Sequence, residues 1–176
     1  MNDKNKEGGI SAGVIDVVRV GAELCRTLEG CRESDAREFN DVVRGLLSLL
    51  YVKVAVLPHA ALADGYVDPR VTEADYDYVR YGVATLLGAD DSYLDVAVDG
   101  GRYSEEVVAS SVGESLADVY QSVRNFLEEV RVGTPESVNV ATETLLEEFE
   151  QHWGQRCLSA LRALHDIRFA GERGEE

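Results

Sequence analysis

SDAREFNDVVRGLLSLLYVKVAVLP, residues 34–58, decides the fold class. Phe39, Val42, Val43, Leu46, Leu50 and Leu57 recur in steps of three, four and seven, which a 3.6-residue turn brings to one stripe. Leu47, Leu49, Val52, Val54 and Val56 widen the stripe until most of the circumference is apolar. A helix of this kind is expected at the centre of a helical core, as the most buried element. Ser34 is the candidate N-cap, with Asp35 at the positive end of the helix dipole. Pro58 stops the helix.

Lys53 breaks the pattern, because it shares the narrow stripe of Leu46, Leu50 and Leu57. Its neighbours one turn away are Leu49, Leu50, Val56 and Leu57, none of which can pair with an ammonium. A buried, uncompensated charge is too costly to persist. Three arrangements satisfy it. The stem is buried while the ammonium reaches water; another helix supplies an acidic or polar partner; or Lys53 lines a pocket and binds an anionic ligand.

Working outward, residues 11–29 form a first helix with Val14, Val17, Val18, Cys25 and Leu28 on one face. Gly21 falls on that face, where its missing side chain admits a close neighbour. Gly30 is the expected C-cap. After a turn-rich stretch, Thr72 and Asp75 make a capping-box-like start for a third helix, with Tyr76, Val79, Val83 and Leu86 inward and Gly88 at its end. Residues 89–103 are acidic, and Leu94, Val96 and Val98 alternate with Asp95, Ala97 and Asp99. That pattern is strand-like but too short for a sheet of its own, so an ordered loop pinned by its apolar residues is expected. Ser104 is the candidate cap of a fourth helix, whose stripe is Val112, Leu116, Val119, Val123, Phe126 and Val130. Thr134 and Pro135 start a fifth that runs to about Arg168, with Leu145, Phe149, Trp153, Cys157, Ala160 and Leu164 inward. The expected fold is all-α: an antiparallel bundle of about five long helices, with one ordered acidic loop between the third and fourth. Residues 10–169 form the single domain, flanked by disordered tails at 1–9 and 170–176.

The 176 residues carry a formal net charge of −16. Binding to nucleic acid requires clustered Lys and Arg, and an anionic membrane surface requires the same. Neither partner is expected; a basic protein partner is. Cys25, Cys31 and Cys157 match no disulfide framework and are expected to be reduced thiols. The polar residues 1–9 lack an apolar signal-peptide core, and the longest apolar run, 46–57, is too short to span a bilayer. A cytoplasmic setting is expected.

Chemistry-bearing motifs are missing. There is no phosphate loop, no Glu-x-x-His pair for a di-iron bundle and no EF-hand order in the acidic loop. His165-Asp166 is not followed by the later aspartate that helical phosphohydrolases need. No metal or cofactor is expected. Glu114 and Asp118 are spaced one turn apart on the flank of their helix and are expected to be solvated. The candidate contact residues are Tyr78 and Tyr81, which helical spacing turns outward, and Asp91 and Asp95, which could meet a cation or a basic partner. Two functions remain in view. One is a non-enzymatic protein-interaction or adaptor protein. The alternative is a small-molecule-binding protein or enzyme with a pocket between helices involving Lys53.

LLYVKVAVLP at the end of the second helix, then VTEADYDYVR, DDSYLDV, ESLADVYQSVRNF and HWGQRCLSALRALHD, follow one another over nearly the whole chain. In this order and spacing they resemble an uncharacterised bacterial family, the domain of unknown function numbered 5063, known mainly from Bacteroides-type organisms. The resemblance implies a bacterial origin, a helical fold and a cytoplasmic setting, and it carries over no catalytic residue.

Overall fold

The computed structural model describes residues 10–59, 65–99 and 102–170, with the side chains of 97–99 and 102–106 left aside. The tails expected at 1–9 and 170–176 therefore lie outside the described residues, apart from Ala170. Six α-helices are described: α1 (Ala12–Glu29), α2 (Ala36–Ala55), α3 (Glu73–Leu87), α4 (Val112–Val132), α5 (Pro135–Glu148) and α6 (Gly154–Phe169). Single 3-10 turns follow α1 and α3.

Local chemistry explains most of the boundaries. Ser11 caps α1, its hydroxyl accepting from Val14 N–H. Asp35 rather than Ser34 caps α2, its carboxylate taking both Arg37 N–H and Glu38 N–H. Thr72 and Asp75 form a reciprocal capping box on α3. Gly88, at φ +58, closes α3 in a conformation that side chains rarely adopt. Thr134 caps α5 with Pro135 in its first turn.

The last expected helix is one path with a defect. Between α5 and α6 the chain makes a π-turn at Phe149–Trp153. The extra residue that such a turn inserts re-aims the side chains after it. Here Trp153 is buried with its indole N–H donating to Leu145 O at 3.1 Å. Its ring meets Phe149 edge-on, and Phe149 meets Tyr51 of α2.

Two expectations are corrected. The acidic segment is not a loop but an antiparallel hairpin, β1 (Ser92–Asp99) and β2 (Arg102–Ser111). The fourth helix accordingly begins at Val112 rather than after Ser104, and Ser111 caps it by accepting from Glu114 N–H. The most buried helix is α4, not α2. Ten residues of α4 are buried against six of α2, and α4 packs on α1, α3, α5 and α6. Val42, Leu49 and Val52 of α2, with Val56 at its C-cap, face outward.

Close approach to α4 depends on two glycines. A Cβ at Gly21 would lie 2.8 Å from Val123 Cγ1, and one at Gly113 would lie 2.5 Å from Arg80 O and 3.2 Å from Ala84 N. Among the described residues no helix is long and apolar enough to cross a membrane.

Candidate functional site

Lys53 sits at the edge of the buried stripe of α2, which runs through Val43, Leu47, Leu50 and Val54. Its side chain is 35% exposed, at the margin of the stripe, with an acidic partner on another helix, one of the three arrangements considered above. The ammonium donates to Asp16 Oδ2 of α1 at 2.7 Å, and this bond with its charge holds the Asp16 carboxyl below its usual range. An anionic ligand at Lys53 would have to displace Asp16.

Tyr78 and Tyr81 are exposed on α3, as helical spacing requires. The Arg32 guanidinium lies 3.9 Å over the Tyr78 ring, a cation–π contact. Asp91 and Asp95 are both engaged internally. Asp91 Oδ1 accepts from Gly113 N–H at 2.7 Å, and Asp95 Oδ1 pairs with the Arg162 guanidinium of α6 at 3.1 Å. These carboxylates fasten the root of the hairpin to α4 and α6. The same Arg162 donates to Leu94 O, and Tyr93 and Ser115 share a hydroxyl hydrogen bond at 3.0 Å.

The register makes the two hairpin faces unlike. Tyr93 opposes Ser110 and Asp95 opposes Val108, whereas Leu94 opposes Ala109 and Val96 opposes Val107. Opposed residues share a face, and faces alternate along a strand. The Tyr93–Asp95 face is the one anchored to the helices. The other presents Leu94, Val96, Val107 and Ala109 to water, with Leu94 71% and Val107 60% exposed.

Sequence spacing misplaced one carboxylate outright. Asp118 is only 12% exposed, not solvated. It accepts from the Tyr76 hydroxyl at 2.8 Å and forms an ion pair with Arg156, whose Nε lies 3.1 Å away, with His152 Nε2 at 3.5 Å. These partners come from α3, α6 and the π-turn, so the cluster ties three elements to α4. Burial and the Asp118 charge push the Tyr76 hydroxyl well above the ordinary phenol value. His59 bridges two further carboxylates, with Nδ1 2.9 Å from Glu143 and Nε2 3.1 Å from Glu150. Cys25, Cys31 and Cys157 are free and buried. Desolvation pushes the Cys25 and Cys157 thiols up to about 12, far from the reactive thiolate. No group of three His, Cys, Asp or Glu side chains among the described residues is arranged to hold a metal ion.

A helical bundle of this order, with an anchored hairpin between its third and fourth helices, defines the class. The chain belongs to the family described as a domain of unknown function, DUF5063, whose profile matches residues 9–170. It is similar to protein BF1032 from Bacteroides fragilis, a structural genomics crystal structure. The two share 31% identity and superpose with a TM-score of 0.80 over 90% of this chain and 93% of that one. No curated protein matches the sequence. The family assigns no activity, and the function of the chain is unknown.

Proposed function

We propose that this is a non-enzymatic cytoplasmic interaction protein that docks a basic protein partner on the outward face of the β1–β2 hairpin. One observation carries the reading. Leu94, Val96, Val107 and Ala109 form an apolar face in water on a hairpin whose other face is fastened to the bundle. Contiguous exposed apolar side chains on a rigid element mark contact surfaces. Charge selects the partner. Residues 89–111 carry six acidic residues and one basic one, Arg102, within a chain of net charge −16. A partner that offers apolar side chains framed by Lys and Arg meets both features, whereas nucleic acid is repelled. Three free, buried thiols fit a reducing compartment. On this reading Asp91 and Asp95 serve the surface by holding the hairpin in place, and Tyr78 and Tyr81 lie outside it.

The test compares the tagged chain with its Leu94→Asp/Val107→Asp variant in affinity capture from the host extract. Both side chains are exposed, so the variant should unfold at nearly the same temperature as the parent. The expected result is a basic protein retained by the parent and lost by the variant. Identical capture by the two proteins would contradict the assignment.

A further inference from the structure

The two edges of the hairpin differ as its two faces do. In an antiparallel ladder, alternate residues turn both N–H and C=O to the partner strand, and the residues between them turn both away. Leu94 and Val96 are of the second kind. Leu94 O accepts from the Arg162 guanidinium of α6 at 3.0 Å, and Val96 N–H donates to Asp95 Oδ1 at 2.9 Å. Side chains thus meet the outer edge of β1.

The outer edge of β2 is open. Val107 and Ala109 are the cross-strand partners of Val96 and Leu94, so they too turn N–H and C=O away from the ladder. Among the described residues nothing meets those groups. Val107, Val108 and Ala109 are all exposed, whereas β1 alternates between half-buried and exposed from Tyr93 to Val96. β1 is therefore the fastened strand, and β2 stands in water on both faces. Open edges are ordinarily blunted by charge or Pro, but residues 107–111, VVASS, carry neither.

We infer that the partner is taken up as a third strand, an extended basic segment whose backbone pairs with the N–H and C=O of Val107 and Ala109. The inference rests on the docking surface proposed above and says in what form the partner arrives there. Val107 and Ala109 belong to both, since their side chains lie on the outward apolar face and their backbone groups on the open edge. An added strand extends that face with its own apolar side chains. Charge chooses its source. Residues 89–111 carry six acidic residues and one basic one. A second copy of the hairpin would set like charges together, whereas Lys and Arg at alternate positions of an incoming strand meet them. In recognition by strand addition, main-chain bonds supply affinity and alternate side chains supply selectivity.

The probe is a synthetic peptide, Lys-Val-Lys-Val-Lys-Val-Lys, at millimolar concentration, read by NMR amide exchange. In the free chain the Val107 and Ala109 amides should exchange fast, and those of Val108 and Ser110, which turn towards β1, slowly. The peptide should slow Val107 and Ala109 at least about fivefold, the protection that one ordinary backbone hydrogen bond gives. The same peptide with Glu in place of Lys should not. Ala109→Pro deletes one outward N–H at an edge position where Pro is tolerated. It should weaken peptide binding about fivefold while leaving the unfolding temperature nearly unchanged. The inference is overturned if the basic peptide does not bind, if it binds while Val107 and Ala109 exchange as before, or if the acidic peptide binds equally. Protection of those amides that grows with the concentration of the free chain would put a second copy on the edge and overturn it as well. The docking surface fails separately. If Leu94→Asp/Val107→Asp loses the captured protein while the peptide leaves both amides exchanging, the face stands and the added strand falls.

Discussion

Asp118 and Lys53 show how little a residue's place on a helical wheel says about its partners. Asp118 looks solvated in sequence yet gathers Tyr76, Arg156 and His152. Lys53 lies on the apolar stripe, and of the arrangements open to it in sequence the structure shows a partly exposed pair with Asp16. In both cases the deciding partners come from other elements, 34 or more positions away. The two ion pairs should differ in what they contribute. Asp118→Ala removes a shielded carboxylate that holds one hydrogen bond and its ion-pair partners and should lower stability by about 2 kcal/mol. Lys53→Met breaks a pair that solvent already screens and should leave the denaturation midpoint nearly unchanged. Urea unfolding of the two variants measures both. His59 gives a pH-dependent counterpart. Hydrogen bonds to Glu143 and Glu150 raise its pKa above the ordinary 6.5. A raised folded-state pKa means that the stabilising contact is complete below pH 6.5 and lost as pH rises through the folded value. An NMR titration should therefore place the His59 midpoint above 6.5, and Glu143→Gln should move it back down.

At the scale of elements, the sequence was legible wherever the signal was local. Thr72 with Asp75 and Thr134 with Pro135 mark helix starts because caps act within four residues. Gly21 was readable as a close approach because its face already carried Val14, Val17 and Leu28. The hairpin was not. Its first strand showed alternation, but its second contains Ser104, Glu105 and Glu106, which mimic a helix start. Only cross-strand pairing settles that ambiguity, and pairing is not local. α2 misled differently. Val42, Leu49, Val52 and Val56 form a second apolar stripe opposite the buried one, and composition alone cannot say which stripe is covered. Gly113 supplies the sharpest test of how α3 and α4 meet. Its absent Cβ makes room for the Arg80 carbonyl, a backbone atom that cannot swing aside. Gly113→Ala should cost roughly 1–3 kcal/mol, as overpacked sites do. An alanine variant as stable as the parent would mean that the crossing is looser than described.

For the molecule as a whole, the fold and the candidate site follow different rules. Helical periodicity was enough to reach a helical fold, which the structure has apart from the β1–β2 hairpin. The contact face was hidden because it exists only once β2 pairs with β1 and brings Val107 beside Val96. On the proposed reading, the hairpin's free face is where this acidic protein meets a basic partner. Hydrogen–deuterium exchange, on the chain alone and in complex with the basic protein it captures, reads out that face. New protection confined to residues 92–96 and 107–111 is the predicted result. Protection on the outward stripe of α2 instead, with the hairpin exchanging as in the free protein, would contradict it.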